Sequence, residues 1–201
     1  ELLAPVVVSN LDVKRTFLKT IKEQHLPEDF VTRVRNFRIR GSSAKLNMAF
    51  DGLPSWPSLP KDSPILKGDL HYSESLDEVE RAYDDWKGGR WSTVPYIDMI
   101  MPSLIDPTMA PEGKHFLSVF VQYCPYELAE GEWNDERRQR FGNTVIDAIA
   151  RYSPDFKQRI LHAEIRTPWD IEREVGLTEG NIFQGELTMD QQRTSLDDSS
   201  K

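Results

Sequence analysis

Four histidines, one cysteine and a scatter of serines and carboxylates are the residues that could do chemistry here, and spacing decides what they can do. His25, His71, His115 and His162 lie far apart, without the i, i+4 partner or H-E-x-x-H run that puts two zinc ligands on one helix face. No metal site is expected from them, and His162, on an alternating run, reads as a hydrogen-bonded structural residue. Cys124 precedes Pro125 with no neighbouring cation to lower its pKa, so it reads as a buried, inert thiol. Ser42, Ser43, Ser103 and Ser118 fall outside the G-x-S-x-G turn that exposes a nucleophilic serine. Glu172 and Glu174 beside Asp170 have the composition of an acid–base set. On a helix they read as a solvated face, with Asp170 as an N-terminal cap. The glycines form neither G-x-G-x-x-G nor a P-loop, and Gly41-Ser42-Ser43-Ala44-Lys45 leads into a strand rather than a helix. What remains is Glu179-Gly180-Asn181-Ile182-Phe183-Gln184-Gly185-Glu186. Its two glycines fit a backbone passing close to another group, and fit a plain turn equally well. No catalytic residue emerges from spacing.

The elements that must position these residues alternate between two periods. Leu2 to Val8, rich in Val and followed by Ser9-Asn10, reads as a buried strand. A helix capped by Asn10 or Asp12 follows, with Val13, Phe17, Leu18 and Ile21 on one stripe. Pro27 opens another helix, whose buried face is Phe30, Val31, Val34 and Phe37. Leu46, Met48 and Phe50 then alternate as in a half-buried strand that Asp51-Gly52 ends. The stretch from Leu53 to Pro64 holds too many prolines for regular structure. Ile65 to Tyr72 reads as a strand, and Leu76 to Trp86 as a helix stopped by Gly88-Gly89. Val94 to Met101 and Phe116 to Tyr123 read as antiparallel neighbours across a proline-punctuated loop. Asn134 caps a helix with Phe141, Val145, Ala148, Ile149 and Tyr152 on its apolar face. Ile160 to Arg166 alternates once more, and Thr167-Pro168-Trp169-Asp170 starts a helix that Gly176 ends. The sum is class α+β, a mixed and largely antiparallel sheet with flanking helices, with a seam near residues 40–45.

Composition narrows the partners. The chain has 201 residues, 38% hydrophobic and 10% aromatic, enough for a packed core and against wholesale disorder. A net charge of -8 disfavours binding to nucleic acid or an acidic membrane. No apolar run reaches the roughly 18–20 residues of a transmembrane helix. A single cysteine suits a reducing compartment, cytoplasmic or, alternatively, the mitochondrial matrix. There is no initial Met and no signal-peptide pattern, and residues 192–201 read as a disordered polar tail, so both ends look cut.

Several segments, in order, resemble the phytoene dehydrogenase-like FAD-dependent oxidoreductases. They are Val6-Val7-Val8-Ser9-Asn10, Arg15-Thr16-Phe17-Leu18, His25-Leu26-Pro27-Glu28-Asp29-Phe30 and Gly41-Ser42-Ser43-Ala44-Lys45-Leu46-Asn47. The loop from Pro102 to Gly113, Gln122-Tyr123-Cys124-Pro125-Tyr126, Thr167-Pro168, Glu172-Arg173, Gly176-Leu177, Gly180-Asn181-Ile182-Phe183 and Met189-Asp190-Gln191 extend the match to residues 4–191. The resemblance implies a substrate-binding domain at 13–191, with residues 1–12 as a strand returning from an FAD domain that lies outside the chain. The family's glycine fingerprint falls upstream of Glu1, and a second flavin-binding stretch falls after Gln191.

The same resemblance implies that Ser9, Asn10, Gly180 and Asn181 stand near the flavin of an intact parent, with Lys45, Asn47, Ile182, Phe183 and Gln184 facing an apolar small-molecule substrate. The parent would move a hydride from that substrate to FAD, the cofactor doing the redox chemistry. This chain alone is expected to be inactive and to bind no cofactor. Where the family usually carries His after Asn-Ile-Phe, Gln184 stands here, so no histidine role carries over. The alternative reading is a non-catalytic interaction module, a homodimer formed through the surface that the missing FAD domain leaves uncovered.

Overall fold

Alternation of apolar and polar residues decides the centre of the fold. A computed structural model describes residues 3–60 and 63–191, so the expected tail at 192–201 lies outside the described residues. Residues 42–170 form one compact unit, and the flanking segments on either side together form a second. The first boundary, between Gly41 and Ser42, falls on the seam expected near residues 40–45.

The larger unit is built on a five-stranded antiparallel sheet. Its strands are β1 (Ser43–Asp51), β2 (Leu70–Tyr72), β3 (Tyr96–Ile100), β4 (Lys114–Gln122) and β5 (Ile160–Arg166), in the order β2-β3-β4-β1-β5. The long central strands β1 and β4 pair from Ser43 opposite Gln122 to Asp51 opposite Lys114. Because side chains alternate, this register puts Leu46, Met48, Val119, Leu117, Met99 and Ile97 on one face, all fully buried. Each such side chain contributes about 1.5–3 kcal/mol on leaving water.

Helices α2 (Leu76–Lys87), α3 (Asp135–Ala150) and α4 (Phe156–Arg159) belong to the same unit. Asn134 caps α3 by accepting a hydrogen bond from the Arg137 N–H at 2.9 Å, and Phe141, Val145 and Ile149 are buried in the core. Tyr152 is not part of that buried face; it is exposed, and its hydroxyl donates to Glu74 at 2.7 Å. Phe156 packs on Phe50 with ring centroids 4.9 Å apart.

Asp155 fixes the loop after β1. It accepts from the Ser55 N–H and hydroxyl, both at 2.8 Å, and pairs with Arg159 at 2.5 Å. Arg159 also donates to the Asp51 carbonyl at 3.0 Å. Gly52 turns there with φ +77°, an angle that favours glycine, and a Cβ on it would displace the Arg159 guanidinium, 2.6 Å away. Burial pushes the Asp155 carboxyl up, but hydrogen bonds from Arg159 and Ser55 outweigh it and bring the pKa down to about 2. A carboxyl lowered on folding stabilises above its unfolded value and stops doing so as pH falls through its folded value. The stability advantage of the native chain over Asp155→Asn is therefore expected to shrink as pH falls from 3.8 towards about 2. Urea midpoints of both proteins through that range measure it, and a gap independent of pH would contradict the assignment.

The second unit holds α1 (Glu28–Asn36), the later part of α5 (Pro168–Val175) and short turns. Val31, Val34, Ile39 and Ile171 are buried apolar residues of this unit, and Phe17 meets Phe30 edge-on at 4.9 Å. Asp12 caps the first helical segment, accepting from the Arg15 N–H at 3.0 Å; that segment, Arg15–Thr20, is a π-helix rather than an α-helix.

Two expected strands differ. Residues 3–10 carry no strand, and Val6, Val7 and Val8 are 75%, 84% and 90% exposed instead of buried. A β-branched run becomes a strand only where a neighbour takes its backbone hydrogen bonds, and no described strand does so. Of Ile65 to Tyr72 only Leu70–Tyr72 is strand, because Pro64 starts a 3-10 turn whose N-terminus Ser63 caps.

Candidate functional site

The sheet has a second face, and its chemistry is mixed. Register partners run across it as His71, Asp98, Phe120, Lys45 and Arg166, and in the next row as Ile100, Ser118, Asn47 and Glu164. Lys45 and Asn47, both expected to face substrate, stand here two residues apart on β1, half-buried. Partial burial lowers the Lys45 pKa, with no carboxylate beside it to raise it again. Asn47 donates to Glu164 at 3.4 Å, and Glu164 also pairs with Arg166 at 3.0 Å. Phe120 and Phe116 are half-buried among these polar groups. The result is a ledge that can bury part of an apolar molecule while offering a cation and an amide.

One cluster on this face goes beyond what spacing alone reveals. His71 Nδ1 meets the Asp98 carboxylate and lies 2.9 Å from the Tyr96 hydroxyl, while Asp69 stands 3.8 Å from Nε2. Asp69 and His71 alternate on one chain segment, and Tyr96 and Asp98 on another, but only the β2–β3 register brings them together. Ligand atoms of Asp69, His71 and Asp98 lie within 4.8 Å of one another, an arrangement that the hydrogen bonds inside the group account for.

In the second unit, the loop between α5 and Glu186 is held from four sides. Asp12, 1% exposed, accepts from the Thr178 N–H at 3.0 Å and from its hydroxyl at 2.9 Å. Glu172 accepts from the Glu179 N–H at 3.1 Å. Asn181 donates to the Arg40 carbonyl at 3.0 Å and accepts from the Phe183 N–H at 2.8 Å. Arg40 grips Glu186 with two bonds of 2.8 Å, and that grip holds the Glu186 carboxyl below its usual range. Burial pushes the Asp12 carboxyl up, but the N–H and hydroxyl donors outweigh it and leave it lowered.

Between these anchors the backbone is left-handed at Glu179 (φ 52°), Gly180 (φ 64°) and Gln184 (φ 59°). Non-glycine residues rarely hold such angles, and strain of about 1–3 kcal/mol each persists only when the surroundings impose it. The fixed loop presents Ile182 and Phe183, 41% and 62% exposed, together with an exposed Gln184. Ser9 and Asn10 are exposed, with the Ser9 hydroxyl 3.1 Å from that of Thr16. Asp12 ties the segment carrying Ser9 and Asn10 to the loop carrying Gly180 and Asn181. Lys45 and Asn47 belong to the other unit.

The remaining reactive groups are committed to structure. Cys124 is fully buried, which pushes its thiol well up. Ser103 stands 3.2 Å from His115 Nδ1, but its hydroxyl also accepts the Phe116 N–H at 3.1 Å and so pins a turn to β4. Asp170 caps α5 as expected, accepting from the Thr167 N–H at 2.9 Å. His162, expected to be hydrogen-bonded, is exposed on β5, the edge strand beside β1, with no described strand on its outer side. No helix among the described residues is long and apolar enough to cross a membrane.

The sheet thus has one buried face and one mixed face, and the strained loop presents apolar side chains. Homologues of the chain are the proteins named pyridine nucleotide-disulfide oxidoreductase domain-containing protein 2, from Rattus norvegicus and Mus musculus, 36% and 38% identical over 198 residues. Those matches take in 95% of this chain but 34% of each relative, so the chain spans about a third of their length. All-trans-retinol 13,14-reductase of Danio rerio is 26% identical over 200 residues, covering 90% of this chain and 31% of the relative. No protein-family model matches the chain.

Proposed function

We propose that this chain is the substrate-binding part of an FAD-dependent, phytoene dehydrogenase-like oxidoreductase that dehydrogenates an apolar substrate by hydride transfer to the flavin. The observation that carries the reading is the anchored loop 178–186, whose strained backbone holds Ile182 and Phe183 exposed beside the segment bearing Ser9 and Asn10. Strain held this firmly is characteristic of sites that must meet a ligand in one geometry. Ser9, Asn10, Gly180 and Asn181 then face the cofactor side, and Lys45, Asn47, Ile182, Phe183 and Gln184 the substrate.

The described residues fit only part of the cofactor's needs. They offer apolar and amide surface to a flat ring, but no glycine-rich turn into a helix N-terminus that could hold a pyrophosphate. On this reading FAD takes its pyrophosphate contacts from segments outside this chain, and the isolated chain is inactive. The exposed Val6-Val7-Val8 run supports the same reading, since a strand from 1–12 would pair with the sheet of an FAD domain. The substrate-binding domain is 13–191, and a reducing compartment, cytoplasmic or mitochondrial, suits the single buried thiol.

A longer protein carrying this chain between the flanking segments of its relatives tests the substrate assignment. Phe120→Asp and Asn47→Ala should raise KM for an apolar substrate about tenfold or more, with flavin content unchanged. Unchanged KM in both variants would remove the sheet face from the binding site. A second reading, a homodimer through the exposed Val6–Val8 and Phe183 surface, rests on the same exposure. Light scattering that finds a monomer at high concentration excludes it.

A further inference from the structure

Arg90, Arg137 and Arg140 line a cleft of about 280 Å³ in the sheet-bearing unit, away from every group used above. Trp91 and Glu130 complete the part of its wall that matters for recognition. The Arg140 guanidinium lies over the Trp91 ring, 6.0 Å from its centroid. Trp91 itself is stacked on Trp133 at 5.6 Å and 24°, and the Trp133 indole donates to the Pro125 carbonyl at 3.1 Å, so the wall is fixed. Arg137 donates to the Glu132 carbonyl rather than to a carboxylate. Arg90 makes two long contacts, 3.4 Å to Asp85 and 3.4 Å to the Gly88 carbonyl. Neither Arg137 nor Arg140 forms an ion pair with a described carboxylate.

Acidic residues outnumber basic ones by 33 to 25, so carboxylates to neutralise these arginines are not scarce in the chain. With Asp85 counted against Arg90, the cleft nevertheless keeps two guanidiniums, those of Arg137 and Arg140, that no described carboxylate pairs with. A phosphoryl group carries about -1.5 to -2 charge at neutral pH and several acceptor oxygens, so it can engage both guanidiniums at once. Planar guanidinium forks bind such oxygens in pairs. The cleft, about 280 Å³, has room for a phosphate or diphosphate. We propose that this cleft binds a phosphoryl group, free or on a lipid headgroup. The proposal is independent of the oxidoreductase reading.

Calorimetric titration of the chain with pyrophosphate, and co-sedimentation with phosphatidylcholine vesicles with and without phosphatidic acid, test it and distinguish the two sources. Saturable binding in either arm is expected, weakened about tenfold or more by Arg140→Gln and lost on adding Arg137→Gln. Arg151→Gln, an exposed arginine at the far end of α3, should leave it unchanged. Arg140 is itself exposed, so its variant keeps the fold, as an unchanged melting curve will verify. Absence of binding in both arms overturns the proposal. So does binding that Arg140→Gln leaves intact, or that Arg151→Gln weakens equally.

Discussion

Asp170→Ala is expected to lower the stability of the chain by about 3–5 kcal/mol, the cost of breaking a buried charge pair by removing one partner. Asp170 is 6% exposed and accepts from the Thr167 N–H at 2.9 Å and the Thr167 hydroxyl at 2.7 Å, besides pairing with Arg138 at 3.0 Å. Truncation leaves a buried N–H without an acceptor and a largely buried guanidinium with one partner fewer. Arg138 keeps Asp135 at 2.8 Å on its exposed side, which places the loss towards the lower end of the range. Asp170→Asn retains an acceptor for Thr167 while losing the charge, and should fall between the two. Urea unfolding of the three proteins gives the ordering. A loss under about 1 kcal/mol for the alanine variant would show that the pair behaves as an exposed ion pair.

The second large effect is Asp12→Ala, expected to cost about 2–4 kcal/mol and to act on one loop in particular. Asp12 caps the start of one helical segment and, through Thr178, holds the turn that leads to Ile182 and Phe183. Without it, the left-handed residues Glu179 and Gln184 lose part of what holds them, and the loop can relax to unstrained angles. Amide exchange at Thr178 and Phe183 should accelerate far more than at Val119 in the sheet. Uniform acceleration at all three would mean that Asp12 supports only global stability.

These two aspartates also mark how far the sequence could be read. Asp12 and Asp170 announce themselves as caps, because an acceptor just before or within the first helical turn is a local pattern. Their other partners, Thr178 and Arg138, lie 166 and 32 residues away and have no local signature. The alternating strands β1 and β5 were legible for the same local reason, and β3 and β4 as two strand-like runs that pair antiparallel. Sheet order was not: nothing in the segment around His71 says that Asp98 lies opposite it. Leu2 to Val8 misled because its composition suits a strand, whereas no described strand supplies the neighbour a strand there would need. Of the candidate site, the loop with two glycines stood out by composition, whereas its anchoring by Asp12, Arg40 and Glu172 needed the fold.

The most direct test of the central claim is the visible flavin spectrum of two purified proteins, this chain alone and a longer one that adds the flanking segments of its relatives. The account predicts bound flavin, released on denaturation in near-stoichiometric amount, from the longer protein and none from this chain. Flavin bound stoichiometrically by this chain alone, or absent from a folded longer protein, would contradict it.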